Sequence, residues 1–181
     1  MLSLSVPKEH DGNRSETAAE ALQRLMDEYG NDVLRTCCLY LKDKHKAEDA
    51  FQEVFLRVFK KYGGFKGESS EKTWLIRITA NVCKDILRSY WIKNVLISQK
   101  PYEEKADEGL ESGVIERHEN ALLLKEVNAL PLVFREAVIL YYYQGFDTAA
   151  IAGMLRVPQG TVRSRLDRAR KILKTKLGKE V

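Results

Sequence analysis

The chain has little that would support metal or redox chemistry: its 3 cysteines, Cys37, Cys38 and Cys83, form no CxxC spacing, and its 3 histidines are not clustered beside them. An odd cysteine set without ligand spacing supports neither a disulfide framework nor a zinc site. Cys37 and Cys83 are instead expected to fill apolar helix faces. Long hydrophobic runs are also missing; no stretch approaches the roughly 18 to 20 apolar residues of a membrane span, so direct membrane insertion is not expected. Met1 to Ser15 carries Lys8, Glu9, His10, Asp11 and Arg14 and lacks the apolar core of a signal peptide. A reducing cytoplasm is the expected compartment. The sequence also lacks sustained strand-like alternation, an internal repeat, a phosphate-cradling glycine motif, a Ser-His-Asp set and a metal-ligand cluster. No cofactor and no catalytic activity are therefore expected.

What is present is helical periodicity nearly throughout. A length of 181 residues with 44% apolar content can bury a substantial core, as one domain or two small ones. The net charge of +4 is modest, but its distribution is uneven. Between Ser98 and Asn120, Glu103, Glu104, Asp107, Glu108, Glu111, Glu116 and Glu119 outweigh Lys100, Lys105 and Arg117, whereas the C-terminal end is strongly basic. The expected class is all-α, with two small helical domains on a flexible acidic linker. A disordered start over 1–15 precedes a first domain over 16–95, a linker over 96–114 and a second domain over 115–181. Helices are expected over 16–29, 31–41, 46–62 and 70–92, then over 116–130 and 132–143, where Pro131 sits at a tolerated first-turn position and Gly145 at a left-handed C-cap.

The last third carries the strongest functional signal. Ile151, Ala152 and Leu155 mark a short helix, Arg156-Val157-Pro158 breaks it, and Gln159-Gly160-Thr161 opens a second helix with Val162, Leu166, Ala169 and Leu173 on one side. The remainder of that helix is cationic: Arg163, Arg165, Arg168, Arg170, Lys171, Lys174 and Lys176 face little acid besides Asp167. Helix, tight turn and basic helix form a unit suited to the major groove, where cations neutralise phosphates and the helix start approaches base edges. Asp167 shares the face of Gly160, Arg163 and Ser164. It either accepts a cytosine amino hydrogen bond or pairs within the helix with Arg163 or Lys171.

In the first domain, residues 46–62 place Ala47, Ala50, Phe51, Val54, Val58 and Tyr62 along one stripe, leaving Asp49, Gln52, Glu53, Leu56 and Lys60 opposite. An exposed leucine among carboxylate and amide groups suits a partner helix. Phe65-Lys66-Gly67 then precedes Lys72-Thr73-Trp74, and the following helix carries Asn81, Lys84 and Arg88. Rings, amides and cations around a glycine loop are the ingredients for holding unstacked bases. Trp74, spaced by fours from Ile78 and Val82, has a core role as its alternative.

The order of these pieces resembles the bacterial sigma-70 family of RNA polymerase sigma factors, in its extracytoplasmic-function group. The resemblance rests on Ala47 to Phe55 (AEDAFQEVF), Phe65-Lys66-Gly67 followed by Trp74-Leu75-Ile76-Arg77-Ile78 with Asn81, Asp85 and Arg88, Ala129-Leu130-Pro131 with Arg135, and Gly160 to Leu166 with Arg168-Ala169-Arg170. It implies a dissociable, non-enzymatic subunit that directs promoter-specific initiation and melting. Asp49, Gln52, Glu53 and Leu56 would dock on the beta-prime clamp coiled coil of core RNA polymerase, whose beta subunit is a further implied partner. Phe65, Lys66, Lys72, Trp74, Asn81, Lys84 and Arg88 would hold the minus-ten element as single strand. Gln159, Gly160, Thr161, Arg163, Ser164, Arg165, Asp167, Arg168 and Lys171 would contact the minus-thirty-five element as duplex. An anti-sigma factor is a further implied partner.

The sequence departs from the family pattern at Ala150, where many relatives have glutamate. With Asp147 as N-cap, the capping-box carboxylate is missing, at a cost of order 1 kcal/mol or less. The alternative function is a stand-alone helix-turn-helix regulator that binds duplex DNA without polymerase docking.

Overall fold

The computed structural model describes residues 16–98 and 118–178, and every regular element within them is helical. The start over 1–15 lies outside these residues. So does the linker expected over 96–114, except for residues 96–98, which continue a helix.

Three long helices form the first domain: α1 (Ala18–Leu41), α2 (Lys44–Lys61) and α3 (Glu71–Ser98). Thr17 opens α1 with a reciprocal capping box, its hydroxyl accepting from Glu20 N at 3.2 Å while Thr17 N donates to Glu20 Oε2 at 2.9 Å. The expected break between Tyr29 and Asn31 does not occur. Glycine costs about 1 kcal/mol inside a helix, but Leu25 and Val33 on either side of Gly30 are both fully buried on one continuous face. That packing outweighs the local preference.

Lys42 closes α1 in the left-handed conformation at φ 56°, and Asp43 caps α2 by accepting from Lys46 N at 2.9 Å. The α2 core stripe is Ala47, Ala50, Val54, Phe55 and Val58. Phe51 and Tyr62, expected in the stripe, are half-buried; Phe55, not expected there, packs against Phe51 with ring centroids 4.9 Å apart. A 3-10 turn at Tyr62–Gly64 and a loop through Gly67 (φ 70°) lead to α3, whose first turn is capped by Ser70 Oγ accepting from Thr73 N at 3.1 Å.

The second domain comprises α4 (His118–Asn128), α5 (Leu132–Val138), α6 (Thr148–Leu155) and α7 (Gln159–Leu177). The helix expected to run to Tyr143 as regular α widens after Val138 into a π turn over Ile139–Tyr143. Gln144 N reaches back to Ile139 O and Phe146 N to Leu140 O, each at 3.0 Å, with Gly145 at φ 75° as expected. The extra residue in the turn sends Tyr142 outward, 55% exposed, and Gln144 inward, 5% exposed.

The domains pack on each other. Arg135, 1% exposed, donates to Tyr40 O at 3.1 Å, and Gln144 Nε2 donates to Thr36 Oγ1 at 2.9 Å. Arg35 lies over the Tyr143 ring at 5.1 Å. A buried polar group must find a partner within the protein, and here some of the partners come from the opposite domain.

Candidate polymerase-docking and nucleic-acid surfaces

On α2, Asp49, Gln52 and Leu56 are exposed, as their opposition to the core stripe requires. Glu53 is half-buried because it accepts from Arg57 Nε at 2.7 Å, and Arg57 continues to Asp85 on α3 at 3.0 Å. Phe59, overlooked in the sequence, is 47% exposed beside Leu56 at 54%. Its signal was its place three residues beyond Leu56, which puts both on one face. The result is an apolar strip flanked by carboxylate and amide groups.

The loop after α2 ends in an aromatic cluster. Phe65 lies 5.0 Å from Trp74 and 6.3 Å from Tyr62, ring centroid to centroid. Trp74 is buried with Ile78 and Val82 on its stripe, so its ring forms the floor on which the half-buried Phe65 rests. Tyr62 is anchored below: its hydroxyl donates to Glu16 at 2.8 Å and accepts from Arg24 at 3.2 Å, while Arg24 also reaches both oxygens of Glu71 at 2.8 Å. Burial, then these carboxylate contacts, push the Tyr62 hydroxyl up to about 12. The Arg24 hydrogen bonds hold the Glu71 carboxyl below its ordinary range.

Farther along α3, Asn81 and Arg88 are exposed and Lys84 is half-buried, spaced so that the three follow one side of the helix. Lys66 is exposed in the loop. Lys72 turns away from that group, pairing with Asp32 at 2.9 Å and lying 6.0 Å from the Phe146 ring centre. Beyond Arg88, Tyr90 and Trp91 are 40% and 54% exposed, with Lys46 Nζ 3.9 Å from the Tyr90 ring centre. Of the two tryptophans, Trp91 is therefore the solvent-facing one. As expected, Cys37 and Cys83 are buried in the core; contact with Cys37 and then burial push the Cys83 thiol well up.

Asp147 caps α6, accepting from Ala150 N at 2.7 Å, so the missing capping-box carboxylate leaves the helix intact. Arg156 at φ 55° ends α6, and Pro158 precedes α7. On α7, Val162, Leu166 and Ala169 are buried and Leu173 is half-buried. Gly160, Arg163, Ser164, Asp167, Arg168 and Lys171 are exposed, and Thr161 is half-buried. Two expected duplex contacts are turned inward: Gln159 Nε2 donates to Thr148 Oγ1 at 2.8 Å, and Arg165 pairs with the buried Glu136 at 3.1 Å. Asp167 pairs with neither Arg163 nor Lys171. It accepts from Arg170 NH1 at 2.7 Å, while Arg170 Nε donates to the Tyr142 hydroxyl at 2.9 Å.

Among the described residues, no group of His, Cys, Asp and Glu side chains could hold a metal ion, and no helix is long and apolar enough to cross a membrane.

Comparison with known proteins places both halves. Residues 25–92 match the family model for sigma-70 region 2, and residues 120–173 match that for sigma-70 region 4. The chain is 32% identical over 165 residues to the RNA polymerase sigma-H factor of Pseudomonas aeruginosa, covering 84% of each chain. It is 29% identical over 160 residues to the ECF RNA polymerase sigma factor SigX of Bacillus subtilis, covering 86% of this chain and 82% of that one. In fold it is similar to the Bartonella quintana sigma factor RpoE, solved with the anti-sigma factor NepR, with TM-score 0.74, 23% identity, and coverage of 88% of this chain and 98% of that one.

Proposed function

The chain belongs to the extracytoplasmic-function group of the sigma-70 family and directs transcription as a sigma factor; on that footing we propose which surface performs each step. Sigma factors are non-enzymatic regulators, so what the side chains supply is binding energy. The α2 strip of Asp49, Gln52 and Leu56, with Phe59 added, docks on the beta-prime clamp coiled coil of core polymerase. An apolar centre edged by polar groups supports this assignment.

Exposed Arg163, Ser164, Arg168 and Lys171 on α7 contact the minus-thirty-five element as duplex, with Gln159 fixing α7 against α6 rather than touching bases. Phe65, Lys66, Asn81, Lys84 and Arg88 hold the melted minus-ten strand. Trp74 supports Phe65 from beneath. The observation that carries the whole reading is the presence in one chain of a basic helix-turn-helix and, ahead of it, an aromatic loop beside a polar stripe on α3. A stand-alone regulator of duplex DNA would have no use for the second. Promoter DNA, core polymerase and an anti-sigma factor are the proposed partners, and the cytoplasm the proposed compartment.

The direct test is transcription by core polymerase with and without the full chain on a genomic promoter library. The proposal expects transcripts from a discrete promoter set only when the chain is present. Duplex binding with no polymerase-dependent transcript on any template would favour the stand-alone regulator.

A further inference from the structure

Glu136 on α5 lies where the second domain meets the nucleic-acid face of the first. It is 6% exposed; its Oε1 is 3.1 Å from Arg165 NH1 and its Oε2 is 3.5 Å from Lys84 Nζ. Arg165 and Glu136 belong to the same domain, so that pair survives separation of the domains. Lys84 belongs to α3, so its contact with Glu136 exists only when the domains are together. Lys72, an α3 cation turned away from the proposed strand-holding group, also meets the second domain, through the Phe146 ring. Other polar contacts across the seam use neutral acceptors: Tyr40 O, Thr36 Oγ1, Asp32 O and the Tyr143 ring beneath Arg35.

At 3.5 Å, with no hydrogen bond to Glu136 Oε2, Lys84 feels the through-space attraction of a carboxylate where a strand phosphate would exert its own. The ammonium cannot serve both at full strength, because each anion gains from being its near neighbour. Burial reduces solvent screening of the internal pair.

We propose that Glu136 acts as an internal phosphate surrogate: in the packed arrangement it occupies the anion-binding position of Lys84 and holds the strand-capturing face of α3 closed. Arg165 is the permanent partner that aims the Glu136 side chain; Lys84 is the exchangeable one. Capture of the melted strand therefore requires the second domain to withdraw Glu136, so strand binding and domain separation are one linked equilibrium. This rests on the proposed role of Lys84 in holding the minus-ten strand.

The test uses the full chain and two variants. Glu136→Gln removes the surrogate charge, and Gln144→Ala cuts a neutral contact of the same seam without touching Glu136. For each, the acylation rate of the Lys84 amine is followed by peptide mass spectrometry, and affinity for a short mixed-sequence single strand by fluorescence anisotropy. Both variants are expected to acylate Lys84 several-fold faster than the parent chain and to bind the strand several-fold tighter. If Glu136→Gln fails to melt cooperatively, Gln144→Ala carries the test alone. Parental Lys84 reactivity in every cooperatively folded variant overturns the latch. Faster acylation without strand binding in any chain keeps the latch and overturns the strand role of Lys84.

Discussion

The guanidinium of Arg135 donates to the main-chain carbonyl of Tyr40 at 3.1 Å, tying the second domain to the last turn of α1. The same side chain donates to Asn128 O at 3.0 Å and Leu130 O at 3.3 Å, so one arginine closes the α4–α5 turn and spans the domain seam. Arg135→Met keeps the volume but orphans these acceptors. A loss of about 2–4 kcal/mol in urea unfolding is expected, since buried hydrogen bonds to a charged group are each worth roughly 1.5–3 kcal/mol and are not additive. A change within about 0.5 kcal/mol would show that water replaces the guanidinium.

The proposed docking strip predicts a separation of binding from folding. Replacing Gln52 and Leu56 together with alanine should weaken core polymerase binding while far-ultraviolet circular dichroism stays nearly constant, because both side chains are exposed. A pull-down titration with unchanged core affinity would remove α2 as the docking element.

The proposed duplex binding by α7 divides its cations. Arg163→Ala should lower affinity for the preferred upstream box by about 1–3 kcal/mol if its fork meets base edges, whereas Lys174→Ala should weaken all duplexes alike and reduce the salt slope by about one. Equal loss on preferred and random duplexes for Arg163→Ala would make it a phosphate clamp. Asp167, tied to Arg170 rather than to Arg163, is expected to act by aiming Arg170. Asp167→Asn should then resemble Arg170→Ala in duplex affinity.

Alkaline stability reports on Tyr62. Its hydroxyl ionises near pH 10 in an unfolded chain and is pushed up to about 12 in the fold. The folded state therefore prefers the protonated phenol. Its contribution is complete below pH 10 and is lost as pH rises toward 12. Tyr62→Phe should remove part of the loss of stability over that interval, measured by urea midpoints at successive pH values. An identical alkaline limb in both proteins would place the shift elsewhere.

Much of the architecture was legible because its signals are local. The Asp147 cap, the left-handed Gly145 and the Val162-Leu166-Ala169 stripe depend on neighbours in sequence, and each lies where spacing put it. Gly30 was misjudged because the face that keeps α1 continuous is completed by residues on other helices. The π turn was invisible for a related reason: it orients Gln144 toward Thr36, 108 residues away in the chain. At the candidate surfaces, exposure on α2 and α7 followed from periodicity. The inward turn of Arg165 and Gln159, the seat of Lys72 on Asp32, and the burial of Trp74 depend on tertiary neighbours that helical spacing does not identify. Arg135 stood out only through the resemblance that sets it after Ala129-Leu130-Pro131, and its acceptor on α1 was not legible at all.

Strand opening separates a sigma factor from a regulator that only binds duplex, and Phe65 with Asn81 carries it in this account. Extruding and holding a base costs a few kcal/mol of stacking and pairing that these contacts must offset. The decisive measurement is permanganate reactivity and transcript yield for the Phe65→Ala, Asn81→Ala double variant with core polymerase, on a full duplex promoter and on one pre-opened at the downstream box. The account predicts intact closed-complex binding, suppressed melting and transcription on the duplex, and at least partial recovery on the opened template. Parental melting and transcription on the duplex would contradict it.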